Sequence, residues 1–119
     1  MLSEISSFRA IYIRCGRTDL RKGIDGLASM VVEEFGMTPF QEDVLFLFCG
    51  RRQDRFKGLV WEGTGFVLLY KRIEAGHVKW PKGSDDLASI STDEFRKLLK
   101  GMTILERGTV HRINCTKIL

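Results

Sequence analysis

The fold is decided by residues 43–81, which read DVLFLFCGRRQDRFKGLVWEGTGFVLLYKRIEAGHVKWP. This stretch contains three apolar runs rich in aromatic and β-branched residues, which we predict to be strands over residues 44–49, 56–61 and 66–73. Basic residues and glycine-rich turns separate the runs, and the connections are short. Because a parallel pair needs a crossover of a dozen or more residues, the three strands are predicted to form an antiparallel meander.

The residues on either side of this stretch predict one further strand and two helices. The run from Ala10 to Cys15 is apolar and β-rich, and is predicted to be a strand. A capping box of Ser91 and Glu94 predicts a helix over about residues 92–100. Another helix, ended by a glycine at position 36, is indicated by apolar residues at helical spacing: Ile24, Leu27, Ala28, Val31 and Phe35.

The remaining segments carry weaker signals. His77–Pro81 is interpreted as a short edge segment, because proline cannot donate to a sheet ladder. Lys82–Asp86 is interpreted as a polar loop. Residues 103–119 are predicted to be an irregular or extended tail, in which Ile113–Leu119 is either a strand or disordered. The whole prediction is one α+β domain over residues 1–119, with an antiparallel sheet of four or five strands and two helices.

The composition is that of an ordinary globular chain. Of its 119 residues, 44% are hydrophobic and 29% are charged, and such a chain is long enough to bury a core. No apolar run approaches the length of a membrane span, and the first ten residues lack a signal-peptide pattern, so we expect a cytoplasmic protein without membrane contact. The three cysteines, Cys15, Cys49 and Cys115, do not make a disulfide framework.

Basic residues are concentrated in two windows of the chain, whose net charge is +4. Residues 9–22 carry five basic residues against one acid, and residues 51–82 carry eight against three. Such clustering favours a polyanionic partner, although solubility alone also explains a modest excess. The candidate nucleic-acid-binding residues are Arg17, Arg21, Lys22, Arg51, Arg52, Arg55, Lys57, Lys71 and Arg72.

These basic residues have two interpretations. Arginine offers a planar fork for phosphate, and an aromatic face can stack on an unpaired base. Alternatively, Asp54 pairs with its neighbouring arginines in a solvated turn, while Phe56 and Trp61 face the core, and the core is the interpretation we favour for these two aromatic residues. We also hypothesise that tight turns at glycines bring the first basic window beside the second.

The sequence contains no recognisable set of catalytic residues. The two histidines, His77 and His111, allow no Ser-His-Asp arrangement, and His111 with Cys115 makes at most half of a metal site. A metal-dependent nuclease needs converging carboxylates, and each candidate lies where a turn or helix cap would place it. The candidates are Asp19, Asp25, Asp43 and Asp54. We therefore predict no enzymatic activity, no cofactor and no metal.

Two segments in order resemble a known family. Residues 12–27, YIRCGRTDLRKGIDGL, are similar to the N-terminal signature of an accessory protein of bacterial transposons, encoded by the second reading frame of the insertion-sequence-sixty-six family and often labelled TnpB. Residues 51–57 and 61–66 resemble its central signature, and the match continues to Trp80 and Pro81. The resemblance covers about residues 10–102 and departs at 105–119.

The resemblance implies a small protein that supports transposition beside a separate, larger transposase. The family offers no established catalytic residues to carry over to this chain. The leading hypothesis is a non-enzymatic accessory factor for DNA transposition that binds DNA, with transposon ends as the expected site, or the transposase of the same element. The alternatives are a protein-only transposase adaptor and a metal-dependent nuclease. Because two strands are apolar on both faces, docking of transposase or of a second copy on the sheet is also expected.

Overall fold

The computed structural model describes residues 7–83 and 86–105. Within these ranges the chain forms one five-stranded sheet, in the order β4-β3-β2-β1-β5, with two helices. The predicted α+β class is confirmed. In chain order the elements are β1 (Ala10–Arg14), α1 (Ile24–Phe35), β2 (Val44–Cys49), β3 (Arg55–Trp61), β4 (Phe66–Arg72), β5 (Leu87–Ile90) and α2 (Thr92–Leu99).

The predicted meander forms the centre and one edge of the sheet. β2 and β3 are antiparallel, with Leu45 opposite Val60, and β3 and β4 are antiparallel, with Trp61 opposite Phe66. The β3–β4 turn is closed by the backbone N–H of Glu62, which donates to the carbonyl of Gly65 at 2.9 Å. The prediction of three successive strands from this stretch is confirmed.

One pair in the sheet is parallel, and the sequence reasoning did not assign it. β1 lies beside β2, with Ala10 opposite Val44 and Ile13 opposite Leu47. The connection between them contains α1, which supplies the crossover that parallel neighbours require. The sheet is therefore mostly antiparallel, with a β1–α1–β2 unit at its middle.

The second edge strand is β5 and not the predicted segment His77–Pro81. β5 is antiparallel to β1, with Ile11 opposite Ile90. In the predicted segment, the N–H of Val78 donates to the carbonyl of Gln53 at 2.8 Å, and the N–H of Trp80 donates to its side-chain Oε1 at 2.9 Å. The segment forms no strand, and it packs Val78 and Trp80 into the core on one face of the sheet while His77 and Lys79 stay exposed.

Both helices have the caps expected from their sequences. Gly36 ends α1 in the left-handed conformation at φ 62°, a conformation that glycine adopts without steric cost. At the start of α2, the N–H of Glu94 donates to Ser91 Oγ at 3.0 Å, and the N–H of Ser91 donates to Glu94 Oε1 at 2.9 Å. The predicted bounds of α1 and the predicted capping box are confirmed.

The two faces of the sheet are buried in separate cores. On one face, Phe46, Phe48 and Leu59 pack against α1. On the other face, Leu45, Leu47 and Phe56 belong to a cluster that includes the α2 residues Phe95 and Leu98 and the loop residues Val78 and Trp80. All six residues of β2 are buried, whereas β4 is half-buried or exposed along its length. The central strands therefore have no uncovered apolar face, and the reason given for docking a partner on the sheet does not apply to them.

Several expectations from the sequence concern residues outside 7–83 and 86–105. They include the histidine–cysteine pair, His111 and Cys115, and the choice between strand and disorder for Ile113–Leu119. In the described part of the chain, no helix is long and apolar enough to cross a bilayer. Cys15 and Cys49 are both buried.

Candidate nucleic-acid interface

The two basic windows meet at the end of the sheet where β1 and β2 finish. The loop after β1 is fastened to the end of β2 by the N–H of Thr18, which donates to the carbonyl of Cys49 at 2.8 Å. It is fastened to β3 by Lys57, whose Nζ donates to the carbonyls of Leu20 and Lys22 at 2.6 and 3.0 Å. The hypothesis that the first window lies beside the second therefore agrees with the structure.

Between these loops lies a basic pocket of about 650 Å³. Most of its lining comes from the loops after β1 and β2, and the rest comes from β3 and β4. Six lining residues are basic, and Asp19 is the one acid among them. The lining residues are Arg17, Thr18, Asp19, Leu20, Arg21, Gly50, Arg51, Arg52, Arg55, Lys57 and Tyr70.

Asp54 pairs with two of the pocket arginines, as the alternative interpretation of the sequence proposed. Arg52 Nη2 lies 2.9 Å from Asp54 Oδ2, and Arg55 Nε lies 3.0 Å from Asp54 Oδ1. The hydrogen bond from Arg55 is the main cause that lowers the pKa of the Asp54 carboxyl, and the same bond raises the pKa of Arg55. The Arg52 side chain is still 68% exposed, so part of its guanidinium remains available to a ligand.

The loop after β1 contains a second pair, between Arg21 and Asp19. Arg21 Nη2 lies 2.9 Å from Asp19 Oδ2, and the side-chain hydrogen bond from Arg21 is the main cause that lowers the pKa of Asp19 to about 2. Arg17 and Arg51 are different, because within the described residues their exposed guanidinium groups form no hydrogen bond or ion pair. They are the two pocket arginines whose donors are unused by the fold.

Arg72 and Lys22 border the pocket without lining it. Arg72 lies opposite Arg55 in the β3–β4 register and so shares its face of the sheet. Its Nη2 is 2.7 Å from Glu74 Oε1, which partly neutralises it. Lys22 is exposed, and its carbonyl accepts the hydrogen bond from Lys57.

Lys71 lies apart from the other predicted site residues. It is opposite Phe56, whose side chain belongs to the core on the α2 side of the sheet. Since successive strand residues point to opposite faces, Lys71 points away from the face that carries Lys57 and Tyr70. Its sequence neighbours are basic or aromatic, but its charge does not contribute to the pocket lining.

The aromatic residues flagged in the sequence are not part of the pocket. Phe56 is 2% exposed, and its ring centroid lies 5.8 Å from Trp80 and 6.4 Å from Phe95, so its prediction as a core residue is confirmed. The core position predicted for Trp61 is wrong, because Trp61 is only half-buried at the far end of β3, where its ring centroid lies 5.0 Å from that of Phe40. Neither ring is placed to stack on a ligand held by the pocket arginines.

The sequence reasoning missed one aromatic residue that does line the pocket. Tyr70 is 56% exposed and lies opposite Lys57 in the β3–β4 register. The sequence places Tyr70 at the end of the apolar run of β4, and the alternation of that strand alone does not show where the covering of its face by α1 ends. Tyr70 is recognised as a pocket residue by its position opposite Lys57 of β3.

Comparison with known proteins identifies the family of the chain that carries this pocket. A family model described as "IS66 Orf2 like protein" matches residues 9–108. The chain belongs to the IS66 Orf2-like family. This family is associated with transposition, and its match to the chain contains every residue of the pocket lining.

Two curated relatives of this IS66 Orf2-like chain come from Sinorhizobium fredii. Uncharacterized protein y4jC is 32% identical over 96 residues, which cover 79% of this chain and 81% of the relative. Uncharacterized protein y4hO is 33% identical over 92 residues, which cover 77% of this chain and 79% of the relative. No solved structure matches the chain.

The carboxylates considered for a nuclease do not converge in this IS66 Orf2-like protein. Asp19 and Asp54 are each bound to arginine, and Asp25 lies in the first turn of α1. Asp43 precedes β2, at the opposite end of that strand from the pocket. Within residues 7–83 and 86–105, no three histidine, cysteine or acidic side chains are grouped as metal ligands. Burial raises the pKa of Cys49 to about 12, so this thiol is not a thiolate at neutral pH.

Thr18 provides a test of the pocket wall. It is 5% exposed, and its Oγ1 is buried with no hydrogen-bond partner among the described residues. Because a buried, unpaired hydroxyl costs about 1–3 kcal/mol, we expect Thr18→Val to leave the free energy of unfolding unchanged or to raise it. Urea denaturation measures this, with Thr92→Val at the first position of α2 as a control. A loss of more than about 1 kcal/mol would mean that the hydroxyl makes a bond the fold needs.

Proposed function

We propose that this IS66 Orf2-like protein is a non-enzymatic accessory factor of transposition that binds the phosphate backbone of the element's DNA in the basic pocket. The carrying observation is the convergence of two basic windows, distant in sequence, on one concave surface. Arginine guanidinium groups bind phosphate in a bidentate manner, and Arg17 and Arg51 have unused donors for it.

The position of the pocket in the fold supports ligand binding. It lies beyond the carboxyl ends of the parallel strands β1 and β2 and is lined mainly by the loops that follow these two strands. In sheets with parallel strands, this end is the usual place for ligand crevices. Six basic side chains against Asp19 and the adjacent Asp54 leave a positive surface, which attracts a polyanion from a distance.

A protein partner with acidic side chains is the second candidate for the same pocket. Arg52 and Arg55 both bind the carboxylate of Asp54 in good geometry. An acidic segment of the transposase therefore has suitable groups for binding to the pocket arginines as well. In that case the protein is an adaptor that never touches DNA. In either case, its place of action is the cytoplasm, where bacterial DNA and its transposase are found.

The salt dependence of DNA binding tests the proposal. Arg17→Ala combined with Arg51→Ala removes the two guanidinium groups that the fold leaves unpaired. For duplex DNA, log affinity falls against log salt with a slope of about −0.9 for each phosphate contact, so the double variant should flatten the slope by about 2. Its thermal stability should hardly change, because exposed charges contribute little to folding. Fluorescence anisotropy on transposon-end DNA, from about 50 to 200 mM salt, gives the slope.

The matched control removes the same number of charges elsewhere. Lys71→Ala combined with Lys100→Ala takes one charge from the opposite face of β4 and one from the end of α2. This control should retain the slope of the parent protein. Equal slopes for the two double variants, or no DNA binding by the parent at low salt, would contradict the proposal and leave the adaptor as the better hypothesis.

A further inference from the structure

We propose that the pocket takes an unpaired nucleotide, with its base stacked on the ring of Tyr70 and its flanking phosphates on the arginines. This inference rests on the proposed function and names the class of ligand: single-stranded DNA, or a stretch in which the base pairs are open. A duplex keeps its base faces stacked on one another, and so has no free face to offer the ring. An unpaired base has two such faces.

The exposure of Tyr70 is the first observation behind this inference. Tyr70 follows Phe66 and Leu68 along one face of β4, and those two side chains pack against the α1 core. Tyr70, the next residue on this face, lies outside that core and is 56% exposed. It is one of four large apolar or aromatic side chains exposed in the described ranges, and of these four it alone lines the basic pocket.

The second observation is that Tyr70 is held in place. It lies on a strand, opposite Lys57, which is itself fixed by two carbonyl groups of the loop after β1. Arg55 lines the same pocket as the ring and donates from its Nε to Asp54 Oδ1 at 3.0 Å. Because a tyrosine side chain has only two rotatable torsions and its backbone is fixed in the strand, the ring loses little conformational freedom when a base stacks on it.

The third observation is the combination of ring and charge within one cavity. Arg17, Arg51 and Lys57 line the same 650 Å³ as the ring. A positively charged groove with an aromatic platform is the general arrangement for binding single strands without sequence preference, because every base has a π-face. The concave shape adds to this preference, since a flexible strand enters a pocket that a stiff duplex can only cover.

The test compares three fluorescent probes: a short oligothymidine, an abasic oligonucleotide of the same length, and a duplex of the same length. Stacking of one base is worth about 1–3 kcal/mol, so the parent protein should bind oligothymidine about 5–150-fold more tightly than the abasic strand. Tyr70→Ala should abolish this difference, and Tyr70→Phe should retain most of it. Neither change should alter binding of the duplex by more than about twofold, because the phosphate contacts remain.

The outcomes separate this inference from the proposed function. If the parent binds base-containing and abasic strands equally, or if Tyr70→Ala keeps the difference, stacking on Tyr70 is wrong while arginine-dependent phosphate binding stands. If no probe binds the parent protein at low salt, both proposals are wrong. If Tyr70→Ala weakens all three probes equally, the ring serves the structure of the pocket and not the recognition of a base.

Discussion

Phe56→Ala is expected to lower the free energy of unfolding by about 3–5 kcal/mol, which is a large share of the roughly 5–15 kcal/mol that holds a domain together. Phe56 is 2% exposed, and it lies where β3, the loop carrying Trp80 and the helix carrying Phe95 come together. These three parts of the chain are each held by other contacts. They cannot all move to fill the space of a lost ring, so a cavity remains and adds to the cost.

Thermal melting followed by circular dichroism should show a fall of roughly 10–20 °C for Phe56→Ala. The matched control is Phe40→Ala, which makes the same change at a residue 59% exposed. The ring centroid of Phe40 lies 5.0 Å from that of Trp61 and 5.3 Å from that of Phe66. Loss of these contacts should lower the free energy of unfolding by about 1 kcal/mol. Equal losses for the two variants would show that Phe56 does not join β3 to the Trp80 loop and α2.

Lys57→Met is expected to lower the free energy of unfolding by about 2 kcal/mol and to weaken ligand binding in the pocket. The Lys57 ammonium donates to the carbonyls of Leu20 and Lys22, at 2.6 and 3.0 Å. Methionine keeps much of the apolar stem but has no donor, so both carbonyls lose their partner. The loop after β1 then has one link fewer to β3, and the arginines that it carries are no longer held over the pocket.

Urea denaturation measures the loss of stability, and the salt slope of DNA binding reports on the loop. If Lys57 acts only as one phosphate contact, the slope should flatten by about 1; a larger change indicates that the loop has moved. Arg21→Met is the control, because it alters the same loop at a side chain 92% exposed and should change stability by no more than about 0.5 kcal/mol. Unchanged stability of Lys57→Met would contradict the anchoring role.

The parts of the fold that were predictable are those specified by neighbours in the sequence. The bounds of α1 follow from an apolar stripe ended by Gly36, and the start of α2 follows from the Ser91–Glu94 pair. The meander follows from apolar runs joined by connections too short for any other pairing. In each case the physical cause lies within a few residues of its effect.

The parts that were not predicted depend on contacts between distant residues. The parallel pairing of β1 with β2 depends on where α1 packs, and no local sequence pattern predicts that packing. β5 has only four residues, LASI, and becomes a strand because β1 offers it a free edge. The segment around Trp80 is predicted from the sequence as an edge segment, but the backbone donors of Val78 and Trp80 are satisfied by Gln53 in the loop between β2 and β3.

The candidate site was only partly visible in the sequence for a similar reason. Basic windows can be counted, but the direction of each side chain follows from the register of the strands. Lys71 and Tyr70 are neighbours in sequence and point to opposite faces, so charge alone grouped the wrong one with the pocket. The two unpaired arginines could not be distinguished from those bound to Asp54 and Asp19 before the loops were placed.

The parallel neighbours β1 and β2 also set the order in which the molecule can fold. β2, β3 and β4 are joined by short turns, and pairing between near neighbours forms quickly. β1 can join them only after the long segment containing α1 has closed, and β5 needs β1 already in place. The two loops that line most of the pocket follow β1 and β2. We therefore expect the pocket to be among the last parts of the molecule to form during folding. An incompletely folded chain would then have a formed hairpin core but no assembled polyanion site, and would not compete with the finished protein for its ligand.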